Sequence, residues 1–262
     1  MTVQPAQPIA PEKETRAFYV SALKALDGAQ VPYVVGGGYA MAYYTGIARN
    51  TKDLDIFVRP DQHRWALDVL ADAGYRTEYF YPFWIAKCLD GDSFIDILYN
   101  SANGLVPVDD QWFEHAVPGE IHGYATRLVP PEEQLFSKAF VQDHDRFDGA
   151  DIAHLIVARG KTLDWDRLLY RFKDHEQVLL FHLILFEYVF PLERECIPDD
   201  VMGGLMNAVQ KLDGTVARKL CRGTNVAQQS YLPDIHSLGF TDARLRPFGP
   251  LTRRELQQLP SC

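Results

Sequence analysis

The sequence predicts an α+β protein in which strands and helices are mixed in the first half and helices alone follow in the second. Up to Leu128, short apolar runs bounded by Gly, Pro and Asp are typical of strands. Beyond Pro130, apolar residues recur at intervals of three and four, which is helical spacing. The length of 262 residues and the hydrophobic share of 47% are sufficient for a substantial core.

The first half is predicted to contain helices over 12–28, 38–45 and 60–72 and strands over 31–35, 53–58, 75–81, 84–89 and 94–99. Asp90-Gly91-Asp92 falls where the last two of these strands turn into a hairpin. A further hairpin is predicted over 119–128. The apolar run 178–190 contains His182, which we interpret as a core residue of a buried helix.

The formal net charge of −9 disfavours sequence-independent binding to nucleic acid, which depends on clustered Lys and Arg. The basic residues near the C-terminus are interleaved with Pro and Gly and are expected on an exposed tail. They are Arg244, Arg246, Arg253 and Arg254. We expect a folded cytoplasmic protein, since the sequence shows no membrane span, no secretion signal and no paired-cysteine motif.

A run of three glycines and an alternating acidic strand are the main functional clue. Gly36-Gly37-Gly38 follows an apolar strand and opens a short helix, so that backbone N–H groups can approach a phosphate. Asp53 and Asp55 are two apart on a predicted strand and therefore project from one face, where they can share hard divalent cations. Together these features predict a site for a nucleoside triphosphate and its magnesium.

Other acidic clusters have structural explanations. We interpret Asp164 as a helix-start residue and Asp148 as a helix cap whose acidic and histidine neighbours lie on a solvated face. Lys52 alternates out of phase with the acidic pair and is expected to face solvent. Asp96 lies on a later strand that could run beside the acidic pair, which adds a third carboxylate to the predicted site.

The glycine turn, the short helix, the acidic strand and the later carboxylate together resemble the nucleotidyltransferase superfamily that shares its fold with DNA polymerase beta. The residues that carry the resemblance are Gly36, Gly37, Arg49, Thr51, Asp53, Asp55 and Asp96. The pattern looks most like bacterial stand-alone nucleotidyltransferases, including abortive-infection toxins and lincosamide and aminoglycoside nucleotidyltransferases. The resemblance implies a polymerase-beta-like mixed sheet with flanking helices. Taken with the composition and apolar spacing along the chain, it predicts a flexible start over 1–11, a catalytic domain over 12–129, a helical domain over 130–238 and a Pro/Arg-containing tail over 239–262.

The resemblance also implies roles for individual residues. The glycine turn of that superfamily holds the triphosphate, its paired aspartates bind two magnesium ions, and its third carboxylate helps to hold the metal that activates the acceptor. The implied triphosphate contacts are Gly36, Gly37, Gly38, Arg49, Thr51 and Lys138. Lys138 lies on the polar side of its predicted helix, where a solvated lysine is the ordinary expectation. The implied catalytic and metal-binding residues are Asp53, Asp55 and Asp96.

The implied activity is magnesium-dependent transfer of a nucleoside monophosphate from a nucleoside triphosphate to an acceptor hydroxyl. The negative net charge favours a small molecule or a protein hydroxyl as acceptor over a nucleic acid. Gly38 and Lys52 stand where drug-modifying members usually carry Trp and His, which argues against an antibiotic. A catalytically degenerate nucleotide- or partner-binding module and a toxin-like enzyme acting on tRNA are the alternatives, and the toxin resemblance allows an antitoxin partner.

Overall fold

The structure, a computed structural model, describes residues 11–48, 50–211 and 219–258. It divides into two compact units, one extending to Pro130 and the other running from Pro131 to Leu256. The first unit contains a mixed sheet with flanking helices, and the second is mainly helical. The predicted α+β fold class is therefore confirmed.

The N-terminal unit is built around a seven-stranded sheet. Its helices are α1 (Lys13–Gly28), α2 (Gly37–Thr45), α3 (His63–Asp72) and α4 (Asp110–Glu114). Its strands are β1 (Val34–Val35), β2 (Leu54–Phe57), β3 (Arg76–Tyr81), β4 (Ile85–Asp90), β5 (Ser93–Leu98), β6 (Val117–Ile121) and β7 (Tyr124–Leu128). The strand order is β3-β4-β5-β2-β1-β7-β6, in which β2–β5 and β1–β7 are parallel and the other neighbours are antiparallel.

One face of this sheet packs into the hydrophobic core of the unit. Leu54 and Ile56 of β2 are fully buried there, in the same cluster as apolar residues of α1 and α3. Strand side chains alternate between the two faces, so Asp55, which lies between Leu54 and Ile56, projects from the opposite face. The core therefore fixes which face of the sheet carries the acidic residues.

Several predicted boundaries were wrong by one to three residues. The first strand was predicted from Val31, but it begins at Val34; Pro32 has no N–H to give to a sheet. The helix predicted from 60 begins at His63, because Arg59 to Gln62 form a turn closed by the Gln62 N–H and the Arg59 carbonyl. Asp53 lies one residue before β2 rather than within it.

The C-terminal unit contains helices α5 (Pro131–Ala139), α6 (Gly149–Arg159), α7 (Trp165–Arg171), α8 (Glu176–Val189), α9 (Asp199–Gln210), α10 (Gln228–His236) and α11 (Arg253–Leu256). Two short parallel strands, β8 (Leu220–Cys221) and β9 (Thr241–Asp242), pair with each other. Asp164 caps α7 by accepting the Arg167 N–H, as predicted.

Helix α8 is strongly apolar and confirms the interpretation of His182. This side chain is buried, and its Nε2 donates to the Ala139 carbonyl oxygen at 2.9 Å. Burial lowers the pKa of His182, so the imidazole is held neutral in the core. Among the described residues, neither α8 nor another helix has the length and apolar character to cross a bilayer.

The interpretation of Arg244 as part of an exposed tail was wrong. Arg244 is 1% exposed, and its guanidinium pairs with the equally buried Asp242 at 2.6 Å. Arg244 also donates to Gln228 Oε1 at 2.8 Å. The segment after Gly239 therefore packs into the C-terminal unit, where Asp242 accepts from Thr224 and Arg244 donates to Gln228.

A second buried ionic cluster connects α5 to α7. Arg167 donates to Glu132 and to Glu133, and Arg171 donates to Glu133 at 3.1 Å. Burial raises the pKa of Glu133, while the two guanidinium groups oppose that rise. The carboxylates depend on these arginines because a buried charge without a partner is strongly unfavourable.

We expect Arg167→Met to lower the free energy of unfolding by about 3–5 kcal/mol, since it leaves two buried carboxylates short of their counter-ion. Urea denaturation followed by circular dichroism measures this change. The matched control is Lys161→Met, which removes an exposed lysine paired with the exposed Glu195 and should leave the stability unchanged. Equal stabilities of the two variants would show that the cluster contributes no more than a surface pair.

Candidate active site

The glycine turn lies directly against the acidic strand. The Gly36 N–H donates to the Asp55 carbonyl oxygen at 3.0 Å, and α2 begins at the next residue. Gly37 has a φ of +55°, and a Cβ there would lie 1.6 Å from Asp55 Oδ2. Only glycine fits this position, because the backbone is left-handed and the carboxylate occupies the space of a side chain.

The neighbouring glycines also pack closely. A Cβ on Gly38 would lie 3.0 Å from Thr51 Oγ1, and one on Gly36 would lie 2.4 Å from the Phe57 ring. Thr51 in turn donates from its hydroxyl to Asp53 Oδ1 at 3.2 Å. The turn, Thr51 and the acidic pair therefore form one contiguous group at the N-terminus of a nine-residue helix.

Parallel pairing of β2 with β5 brings the third carboxylate to the acidic pair. Asp55 and Asp96 are direct register partners. Neighbouring strands are about 4.8 Å apart, and side chains in register project from the same face. Asp96 therefore lies beside Asp55 on the face opposite the core, as the sequence predicts.

Tyr19 of α1 also lies near all three carboxylates. Burial, followed by the negative charges of Asp53, Asp55 and Asp96, raises the pKa of the Tyr19 phenol above its ordinary value. The phenol therefore stays neutral. Tyr19 stacks on His122, whose Nε2 is 2.9 Å from the hydroxyl of Tyr39, so the three rings form an aromatic cluster next to the carboxylates.

Lys87 is a site neighbour that the sequence interpretation missed. It is the register partner of Asp96 on β4, and its Nζ is 2.7 Å from Asp96 Oδ1. The sequence contains the information needed to find this pair. A two-residue turn at Gly91-Asp92 pairs Asp90 with Ser93, and three residues further along each strand it pairs Lys87 with Asp96. Lys52 is exposed, as predicted.

Arg49 and Lys138 are the two remaining triphosphate contacts that the resemblance implies. Arg49 lies outside the described residues. Lys138 lies in the C-terminal unit and is not solvated, since its Nζ contacts Asp148 at 2.8 Å and Asp151 at 2.7 Å. Burial opposes a charged lysine, but the two carboxylates raise its pKa. Asp148 is the N-cap residue of α6, as predicted, but its side chain contacts Lys138 instead of capping the helix. Asp151 was wrongly interpreted as a solvated residue, since its side chain also pairs with Lys138.

Across the described ranges, no three His, Cys, Asp or Glu side chains are arranged to hold a metal ion by themselves. Mg²⁺ is usually bound by one or two carboxylates together with substrate phosphates and water, rather than by a complete protein cage. Asp53 and Asp55 provide hard oxygen ligands of this kind, and the backbone N–H groups at the start of α2 lie beside Asp55. The residues therefore fit a magnesium ion that enters with a nucleotide.

Residues 16–188, more than half of the chain, match the family described as uncharacterised nucleotidyltransferase. The protein belongs to this nucleotidyltransferase family and is therefore a transferase, as the motif resemblance implied. No curated protein matches the sequence.

Several solved structures are similar to the chain. The antibiotic-resistance factor ANT(2'')-Ia in solution is 17% identical, with a TM-score of 0.46, over 66% of this chain and 98% of its own. The lincosamide antibiotic adenylyltransferase LnuA is 20% identical, with a TM-score of 0.40, over 56% and 98%. JHP933 from Helicobacter pylori is 15% identical, with a TM-score of 0.40, over 77% and 100%.

We expect Gly37→Ala to weaken nucleoside triphosphate binding at least ~10-fold, because the new Cβ displaces the Asp55 carboxylate. Calorimetric titration in magnesium buffer measures the affinity. Gly91→Ala is the matched control: Gly91 has a φ of +58° but nothing within 4 Å of a Cβ. Both variants bear the same backbone strain, so unequal affinities report the contact with Asp55, and equal affinities would remove the turn from the site.

Proposed function

We propose that the protein is a magnesium-dependent nucleotidyltransferase that moves a nucleoside monophosphate from a nucleoside triphosphate to an acceptor hydroxyl. The observation that carries the proposal is the contact between Gly37 and Asp55, with Asp96 as the register partner of Asp55. It places a backbone suited to phosphate beside carboxylates suited to a divalent cation.

The glycine turn is the proposed triphosphate site. Backbone N–H groups at the start of α2 are donors at the positive end of the helix dipole. Thr51 limits the space beside Gly38 and holds the Asp53 carboxylate by a hydrogen bond. Positioning of this kind accounts for much of the catalysis of phosphoryl and nucleotidyl transfer.

Asp53 and Asp55 are the proposed magnesium ligands. When bound, magnesium neutralises charge on the phosphate oxygens and polarises the α-phosphorus. The carboxylates orient the nucleotide, and the aromatic cluster that contains Tyr19 and His122 lies next to them. Asp96 is the proposed residue that faces the acceptor hydroxyl, since it lies on β5, on the far side of β2 from the glycine turn.

The proposed acceptor is a small molecule or a protein hydroxyl rather than a long nucleic acid. With Arg244 buried in an ion pair, the C-terminal basic residues do not form one exposed cluster. The net charge of −9 also opposes association with a polyanion. The proposed activity is tested by incubating the protein with each α-labelled triphosphate and a cell extract, and then identifying the labelled product.

We expect Asp53→Ala and Asp55→Ala each to lower label transfer at least ~10²-fold, because each removes a charged ligand of the cation that the transition state requires. Circular dichroism should show an unchanged fold. Asp164→Ala is the control, since this carboxylate caps α7 and contacts Arg167 of that helix. If Asp164→Ala lowered transfer as much as Asp55→Ala does, the assignment of the acidic pair would be wrong.

We also expect binding to bulk tRNA to be weak and nearly independent of salt, with a slope of log affinity against log salt shallower than about −1. Filter binding between low and physiological salt measures this slope. Tight, steeply salt-dependent binding that survives replacement of the exposed Arg253 and Arg254 by Gln would overturn the proposed acceptor class and favour a tRNA-directed enzyme.

A further inference from the structure

The ion pair between Lys87 and Asp96 joins the proposed site to the neighbouring strand β4. Register pairing places Lys87 opposite Asp96 and Asp96 opposite Asp55, so the three side chains form one row across three strands. All three project from the face opposite the core, because Ala86 and Cys88, on either side of Lys87, belong to the core cluster. The row therefore places a fixed positive charge next to the carboxylates.

The surroundings hold the ammonium in this position. The Lys87 and Asp96 side chains are only 17% and 13% exposed. The Lys87 Nζ lies 3.9 Å from the centroid of the Phe94 ring and 5.2 Å from that of the Phe80 ring. Aromatic faces attract a cation, and limited solvent access strengthens its attraction to a carboxylate. Lys87 is therefore held by a carboxylate and two rings at once.

A divalent cation and the Lys87 ammonium both bind negatively charged oxygen atoms, so they compete for the Asp96 carboxylate. Asp96 Oδ1 is already 2.7 Å from Nζ, which is the distance of a charge-assisted hydrogen bond. A cation at Asp96 would also experience the repulsion of the nearby ammonium. Asp53 is held by the neutral hydroxyl of Thr51, which imposes no such repulsion.

We propose that Lys87 is a built-in counter-ion of Asp96, so that the site binds one divalent cation, through Asp53 and Asp55, and Lys87 occupies the place of a second. This inference rests on the proposed function and differs from the two ions expected from the sequence. Lys87 is a positioning residue: it fixes the orientation of the Asp96 carboxylate toward the acceptor side and supplies a positive charge there.

Manganese binding tests the proposal without any need for turnover. Titration of the full chain with Mn²⁺, with free Mn²⁺ measured by electron paramagnetic resonance, should give one cation per wild-type chain. Lys87→Met should bind a second Mn²⁺ at least ~10-fold more tightly than the wild type does. Lys87→Arg keeps the positive charge and should behave as the wild type. Lys87→Met combined with Asp96→Asn should lose the second cation again.

Lys52→Met is the matched control, because it removes an exposed lysine next to Asp53 and lowers the net charge equally. It should leave the number of bound cations at one. The counter-ion role would be overturned if the wild type bound two cations with equal affinity. It would also be overturned if the wild type and Lys87→Met bound the same number of Mn²⁺ ions with the same affinities. Either result would leave the proposed function standing. If Asp53→Ala and Asp55→Ala bound Mn²⁺ as the wild type does, the proposed function would fail as well.

Discussion

The close approach of the Gly37 backbone to the Asp55 carboxylate is the constraint on which the rest of the site depends. The Gly36 N–H and the Asp55 carbonyl are also hydrogen-bonded, so the antiparallel pairing of β1 with β2 continues into the turn. One strand pairing therefore determines both where α2 begins and where the carboxylates project. The backbone proposed to bind phosphate and the side chains proposed to bind the metal therefore cannot be positioned independently of each other.

Charge in this protein is balanced locally rather than over the whole surface. In the C-terminal unit, Lys138 is paired with two carboxylates and Arg244 with one. In the N-terminal unit, Asp96 forms an ion pair with Lys87, whereas the Tyr19 phenol stays neutral beside the acidic pair. The proposed cation would offset the repulsion between the neighbouring Asp53 and Asp55 carboxylates.

The sequence predicted those features that depend on local chemistry. The glycine turn, the acidic strand and the hairpin at Gly91 each have a residue-level cause within a few positions, and the structure contains all three. The Lys87 pair was missed although the length of the turn determines its register. The burial of Arg244 was missed because it depends on packing against residues distant in the chain, such as Gln228. Helix α4, with five residues, is too short for a periodic pattern to be visible.

The two-residue turn between β4 and β5 has a consequence for the position of a charged side chain outside it. Its length fixes the register of the hairpin, and a slip of one residue would send every side chain of a strand to the opposite face. Such a slip would carry Lys87 into the apolar core and present Ala86 or Cys88 to Asp96 instead. The turn therefore determines the position of the Lys87 ammonium relative to Asp96, although it contains no residue of the proposed site.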